Sequence, residues 1–168
     1  MPLNLLKKYN DLLDVGAYNQ YERTASLQAI FNRDIAGNEH FKFNKKRIQP
    51  TPLNGVIVMD TLFTHLTTVI TDYNTKQRNF DVQRAVRLHW VKHHIDLKKE
   101  ENILYFSVKE PQGNRTYIYD KDEKYVIVLE PLRKVDEYYL LTAYHLTGKD
   151  AKRNKILKKY KRKLTELL

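Results

Sequence analysis

Just after Ile95 the spacing of apolar residues changes from three and four to two, and no other feature constrains the fold of this chain so strongly. Residues 102–109, 115–120, 124–130 and 137–145 are rich in Val, Ile, Tyr and Phe, the residues that suit a pleated, half-buried surface. Between them lie Pro111-Gln112-Gly113-Asn114, Asp120-Lys121-Asp122-Glu123 and the polar stretch 131–136. Connections this short make hairpins, so a four-stranded antiparallel meander is expected.

The rest of the chain reads as helix. Leu3, Leu5, Leu6, Tyr9, Leu12 and Leu13 repeat at helical spacing over residues 3–13. Leu27, Ile30, Phe31 and Ile35 mark a second helix over 24–36, closed by Gly37-Asn38. Residues 38–55, with Phe41 and Phe43 in alternation and Pro50-Thr51-Pro52, read as a connection holding one short strand. Met59, Leu62, Phe63, Leu66, Val69, Ile70 and Tyr73 predict a helix over 58–73, although its threonines are poor helix formers. Asp81 caps a further helix over 82–95 that carries Arg84, Arg87, His89, Lys92, His93 and His94. After Thr147-Gly148-Lys149-Asp150 a last helix, 149–168, shows Ile156, Leu157, Tyr160, Leu164 and Leu167 on one side. The expected fold is α+β: N-terminal helices on one face of the meander, then a basic C-terminal helix. A helical extension, 1–55, precedes a domain of residues 56–168.

Charge decides where to look for a partner. Residues 149–168 hold nine basic and two acidic side chains, a net +7 of the chain's +10, so the other 148 residues share +3. Such a surface favours a polyanion, and RNA is the expected partner. The binding residues would be Lys152, Arg153, Lys155, Lys158, Lys159, Lys161 and Arg162. The chain has no cysteine, which removes thiolate metal sites and a Cys nucleophile and suits a reducing compartment. No apolar run reaches eighteen residues, so no membrane partner is expected and the reading is cytoplasmic.

Strand alternation divides the meander into two faces. Leu104, Phe106, Val108, Thr116, Ile118, Tyr125, Ile127, Leu129, Tyr139, Leu141 and Ala143 are expected to face the core. Tyr105, Ser107, Lys109, Arg115, Tyr117, Tyr119, Val126, Val128, Glu130, Leu140, Thr142 and Tyr144 would then form the open face. Seven of the twelve tyrosines lie between Tyr105 and Tyr144, and tyrosine rings stack on bases while arginine binds phosphate. Tyr105 and Tyr119 are candidates for base stacking.

The chain has no phosphate-binding glycine loop, no dinucleotide fingerprint and no nucleophile elbow. His89 and His93, at i and i+4, have no third ligand at a diagnostic spacing, so no metal and no cofactor is expected. RNA cleavage needs neither, because the 2′-hydroxyl is the nucleophile and the protein has only to move protons and hold the phosphate.

Arg87-Leu88-His89-Trp90-Val91-Lys92, the strands at 115–120, 125–130 and 138–144, and the Lys/Arg-rich tail together resemble the barnase/EndoU/colicin/RelE-like superfamily of metal-independent ribonucleases. The likeness is to its phage- and mobile-element-associated branch and covers about residues 80–165. It implies an endoribonuclease cutting tRNA or ribosome-bound mRNA, with a toxin or host-interference role and an inhibitor or antitoxin as partner. At matching positions it implies Arg87, Lys92, His94, Arg115, Tyr117, Thr142 and Tyr144 as catalytic residues, with the acid/base open among His89, His93 and His94. Residues 1–55 would position substrate, bind an antitoxin or make a dimer. The rival reading is a non-catalytic RNA- or DNA-binding module, such as a phage regulator, using the same surface.

Overall fold

A computed structural model describes residues 2–96 and 100–168, with every side chain of these except those of Pro2, Asp150 and Lys152. The elements in chain order are α1 (Pro2–Leu5), α2 (Gln20–Phe31, continued by a π turn over Asn32–Ala36), β1 (Lys42–Phe43), β2 (Lys46–Pro50), α3 (Met59–Thr67), β3 (Thr68–Asp72), β4 (Gln77–Phe80), α4 (Val82–Ala85), α5 (Trp90–Ile95), β5 (Ile103–Glu110), β6 (Gly113–Asp120), β7 (Tyr125–Pro131), β8 (Glu137–His145), α6 (Gly148–Arg153) and α7 (Lys155–Lys161).

The architecture is α+β, but the expected four-stranded antiparallel sheet is not what forms. The main sheet has six strands in the order β1-β2-β8-β7-β6-β5, and β2 runs parallel to β8. A separate two-stranded sheet pairs β3 with β4. The two extra strands of the main sheet come from residues 38–55. Phe43 and Ile48 point into the core there and give that segment a reason to join the sheet.

Local chemistry explains several boundaries. Asn19 and Glu22 form a reciprocal capping box at the start of α2, with Asn19 Oδ1 accepting from the Glu22 amide at 2.9 Å. Gly37 stops the π turn, where a Cβ would lie 2.7 Å from the Asn32 carbonyl oxygen. Residues 67–71 are Thr-Thr-Val-Ile-Thr, all β-branched, so α3 ends at Thr67 and the segment read as helix to residue 73 becomes β3. The expected helix 82–95 is interrupted between α4 and α5. The expected helix 149–168 is divided at Asn154, whose φ of 48° is left-handed, and α7 ends at Lys161.

Two apolar clusters flank the main sheet. The larger joins Leu27, Ile30, Phe31, Phe43 and Ile48 to Leu62, Leu66, Trp90, Ile118, Ile127, Leu129 and Leu140, so residues 1–55 share one core with residues 56–168. The smaller packs Phe106, Val108, Tyr117, Tyr119, Val126 and Val128 against Ile156, Leu157 and Tyr160 of α7. The face assignment of β5 is thereby corrected. Leu104, Phe106 and Val108 lie on the Tyr117–Tyr119 side, and Tyr105 lies with the main core. The strands run on to Glu110 and Gly113, leaving a two-residue turn of Pro111 and Gln112, so Tyr105 pairs with Ile118 and Phe106 with Tyr117. A bulge opposite Val128 and Leu129 likewise buries Leu140 and Tyr138 where Leu141 and Tyr139 were expected. Among the described residues, no helix is long and apolar enough to cross a membrane.

Candidate active site

β2 ends opposite Leu140, so the second half of β8 meets α3 and α4 where a strand would otherwise lie. Arg84, on the short helix capped by Asp81, reaches across this junction. Its Nη1 donates to the carbonyl oxygens of His65 (2.9 Å) and Thr68 (3.3 Å) and to Thr142 Oγ1 (3.3 Å). Its guanidinium also lies 5.8 Å from the centre of the Tyr144 ring. Arg78, on β4, donates from Nε to Thr68 Oγ1 at 2.8 Å and from Nη2 to the Thr68 carbonyl at 3.0 Å. Both guanidinium groups are therefore anchored on Thr68, where α3 turns into β3.

Around them is a cleft of about 340 Å3, lined by His65, Val69, Ile70, Tyr73, Arg78, Arg84, Leu141 and Thr142. It shares Val69 and Arg84 with a neighbouring cavity of about 280 Å3 that Asp81, Gln83, Tyr144, His145 and Thr147 complete. Among the described residues, neither Arg78 nor Arg84 forms an ion pair with a carboxylate, and the Asp81 side chain accepts from the Arg84 amide as the α4 cap. Positive charge at the cleft is left for an incoming anion.

Burial, then Arg78 and Arg84, hold the His65 imidazole below its ordinary 6.5, so it is neutral at pH 7. Burial, then Arg87 and Lys124, act on His145 in the same direction. His145 Nδ1 is buried with no hydrogen-bond partner among the described residues. The cleft thus combines two cations, a neutral base and the Thr142 hydroxyl, with Tyr144 in the adjoining cavity. Such a set can bind a phosphodiester, accept a proton and return one.

Of the residues singled out in the sequence, Thr142 and Tyr144 line these cavities and the others do not. Arg87 is buried against Gln83 and the Trp90 ring. Lys92 pairs with Asp96 at 2.6 Å. His94 is sealed in the core: Nδ1 lies 2.7 Å from the Trp90 carbonyl and Nε2 2.9 Å from Asp120 Oδ2, to which the Tyr9 hydroxyl also donates. Arg115 donates to the Asn114 carbonyl and faces Glu130 at 3.7 Å, at the far end of β6.

The tyrosine face expected to be open is covered. Tyr117 and Tyr119 are each 5 % exposed beneath the C-terminal helices, and Tyr105 packs near Phe43 in the main core. Tyr117 donates to Glu110 and stacks on Phe106, so it is a packing residue here. Lys159 and Arg162 also bind Glu110, which makes them docking residues. Arg153, Lys155, Lys158 and Lys161 are exposed, and the Lys152 side chain lies outside the described residues.

His65, Arg78, Arg84, Tyr73 and His145 were not selected from the sequence. One signal was available: Asp72-Tyr73-Asn74-Thr75 after the β-branched run is an Asx turn, in which Asp72 Oδ1 accepts from the Asn74 and Thr75 amides and reverses the chain toward Arg78. Comparison of the chain with protein-family models, with curated proteins and with solved structures finds no match.

Proposed function

We propose that the chain is a metal-independent endoribonuclease whose reaction takes place in the cleft between β8 and the β3–β4 hairpin. The observation that carries this reading is the convergence of Arg78 and Arg84, neither of them ion-paired to a carboxylate among the described residues, beside the neutral His65 and the Thr142 hydroxyl, with Tyr144 in the adjoining cavity. The two arginines hold the scissile phosphate. His65 takes the proton of the 2′-hydroxyl as its oxygen attacks phosphorus. The Tyr144 hydroxyl gives its proton to the departing 5′-oxygen and recovers one from solvent. The products are a 2′,3′-cyclic phosphate and a 5′-hydroxyl. Thr142, donating or accepting beside Arg84, orients the phosphate oxygens. Arg153 of α6 and the exposed lysines of α7 guide the RNA without reading its sequence. The reading accords with the resemblance to metal-independent ribonucleases, but through a different residue set.

Purified protein incubated with tRNA or total RNA in EDTA should yield fragments ending in 2′,3′-cyclic phosphate. His65→Ala should slow the reaction by about a hundredfold or more. RNA left intact across these substrates overturns the catalytic claim. Salt-sensitive binding without cleavage would instead support a nucleic-acid-binding module.

A further inference from the structure

The β3–β4 hairpin carries an aromatic side chain that the packing of the fold does not use. Tyr73 lines the cleft of Arg78 and Arg84, yet it is 76 % exposed. Among the described residues its ring meets no other ring and no cation, and its hydroxyl makes no hydrogen bond. The turn, and not packing, sets its position. Tyr73 is the second residue of the Asx turn in which Asp72 Oδ1 accepts from the Asn74 amide at 2.9 Å and the Thr75 amide at 3.3 Å. Such a turn fixes the backbone on both sides of the ring, so the ring is presented from one place.

The surroundings of Tyr73 say what it can receive. Val69, Ile70 and Leu141, each partly exposed, give the same cleft an apolar wall. Ile70 stands opposite Arg78 across the hairpin, which puts apolar surface directly beside a guanidinium. No carboxylate is among the described residues that line the cleft, and the nearest in sequence, Asp72, is engaged by the two amides of the turn. A ligand matching this surface has a flat body for the ring and an anionic group for the arginines. A nucleobase joined to its phosphate has both, and a cleft of about 340 Å3 is of ligand-pocket size. A base in an A-form duplex already spends its faces on its own stack, whereas an unpaired base is free to lie on a protein ring.

We infer that Tyr73 is the base-stacking platform of the cleft and that the strand entering it is single-stranded RNA, with the unpaired base beside the scissile phosphate lying on the Tyr73 ring. The inference rests on the reading of this cleft as the place where RNA is cut, and it adds which form of RNA is admitted. Every base has a π face, so the preference is for unpaired segments and not for a sequence.

The test separates binding from cutting. A short, fluorescein-labelled 2′-O-methyl RNA has no free 2′-hydroxyl to attack phosphorus, so its binding to the full chain can be read by fluorescence anisotropy without cleavage. The parent should bind it saturably. Tyr73→Ala should weaken that binding about tenfold, and Tyr73→Phe should retain it. Circular dichroism verifies that both variants are folded, as expected for a side chain this exposed. The same strand annealed to its complement should bind with an affinity that Tyr73→Ala leaves unchanged, because its contacts are to phosphate alone. The inference is overturned if the single strand does not saturate at about 0.1 mM protein, if Tyr73→Ala binds it as the parent does, or if the variant weakens duplex and single strand equally. Unmodified RNA then tells the two readings apart. Intact RNA with Tyr73-dependent binding removes the nuclease and leaves the platform, while cleavage of a single strand at the same rate by parent and Tyr73→Ala removes the platform and leaves the nuclease.

Discussion

Burial and the two guanidinium groups of Arg78 and Arg84 all act on His65 in one direction, and that shared direction makes it a base at neutral pH. Its NMR titration should have a midpoint below 6.5. Burial is the largest of the three causes, so Arg78→Gln should raise that midpoint only part of the way back. A midpoint at or above 6.5 in the intact protein would remove the assigned base from the mechanism. Residue identity alone did not make this histidine visible. His65 is one of six in the chain, and its distinction arises from Arg78 and Arg84, thirteen and nineteen positions away, which the β3–β4 hairpin and the α4 cap bring to it. His94 shows the converse: beside basic residues it looks reactive in the sequence, yet Asp120 and the Trp90 carbonyl take both ring nitrogens.

Among the elements, α7 illustrates how a basic helix can be both docked and exposed. Glu110, at the end of β5, receives hydrogen bonds from Lys159, Arg162 and the Tyr117 hydroxyl, while Ile156 lies in the apolar cluster beneath. Burial raises the Glu110 carboxyl, but the bonds from Lys159 and Tyr117 and the nearby cations outweigh it and hold it below 4.5. Glu110→Ala leaves these donors without their acceptor and should cost about 1–3 kcal/mol in urea unfolding. It should also speed hydrogen exchange in β5 and β6 as α7 loosens. Unchanged stability would mean that the apolar contacts alone hold the helix. The amphipathic stripe of α7 was legible because it is local, and so were the existence and order of β5–β8. The faces were not, because a one-residue change in a turn inverts a strand and the β8 bulge moves burial from Leu141 to Leu140. The β3–β4 hairpin was missed for a related reason. Leu62, Leu66, Val69 and Ile70 satisfy a helical period as well as a strand edge does, and five β-branched residues in a row decided the outcome.

At the scale of the whole molecule the three shifted histidines act together. His65, His89 and His145 each have a folded-state affinity for protons below that of an unfolded histidine, in every case first because of burial. The unfolded chain therefore binds more protons than the folded one once pH drops below about 6.5. Their contribution to stability is complete above that value and is lost as pH falls through the folded-state values. Glu110 behaves likewise, but its window opens only near and below 4.5, so the two effects separate on the pH axis. The midpoint of urea unfolding should fall between pH 7.5 and 5.5 with little change in slope, and fall again in the carboxylate range. A flat response over the first interval would show that these imidazoles are not held neutral. Protonation of His65 also removes the proposed base, so cleavage should decline over the same interval. Reversibility distinguishes the two losses: activity that returns at once when a folded sample is brought back to pH 7.5 reports the base, whereas loss that tracks the unfolding signal reports the fold.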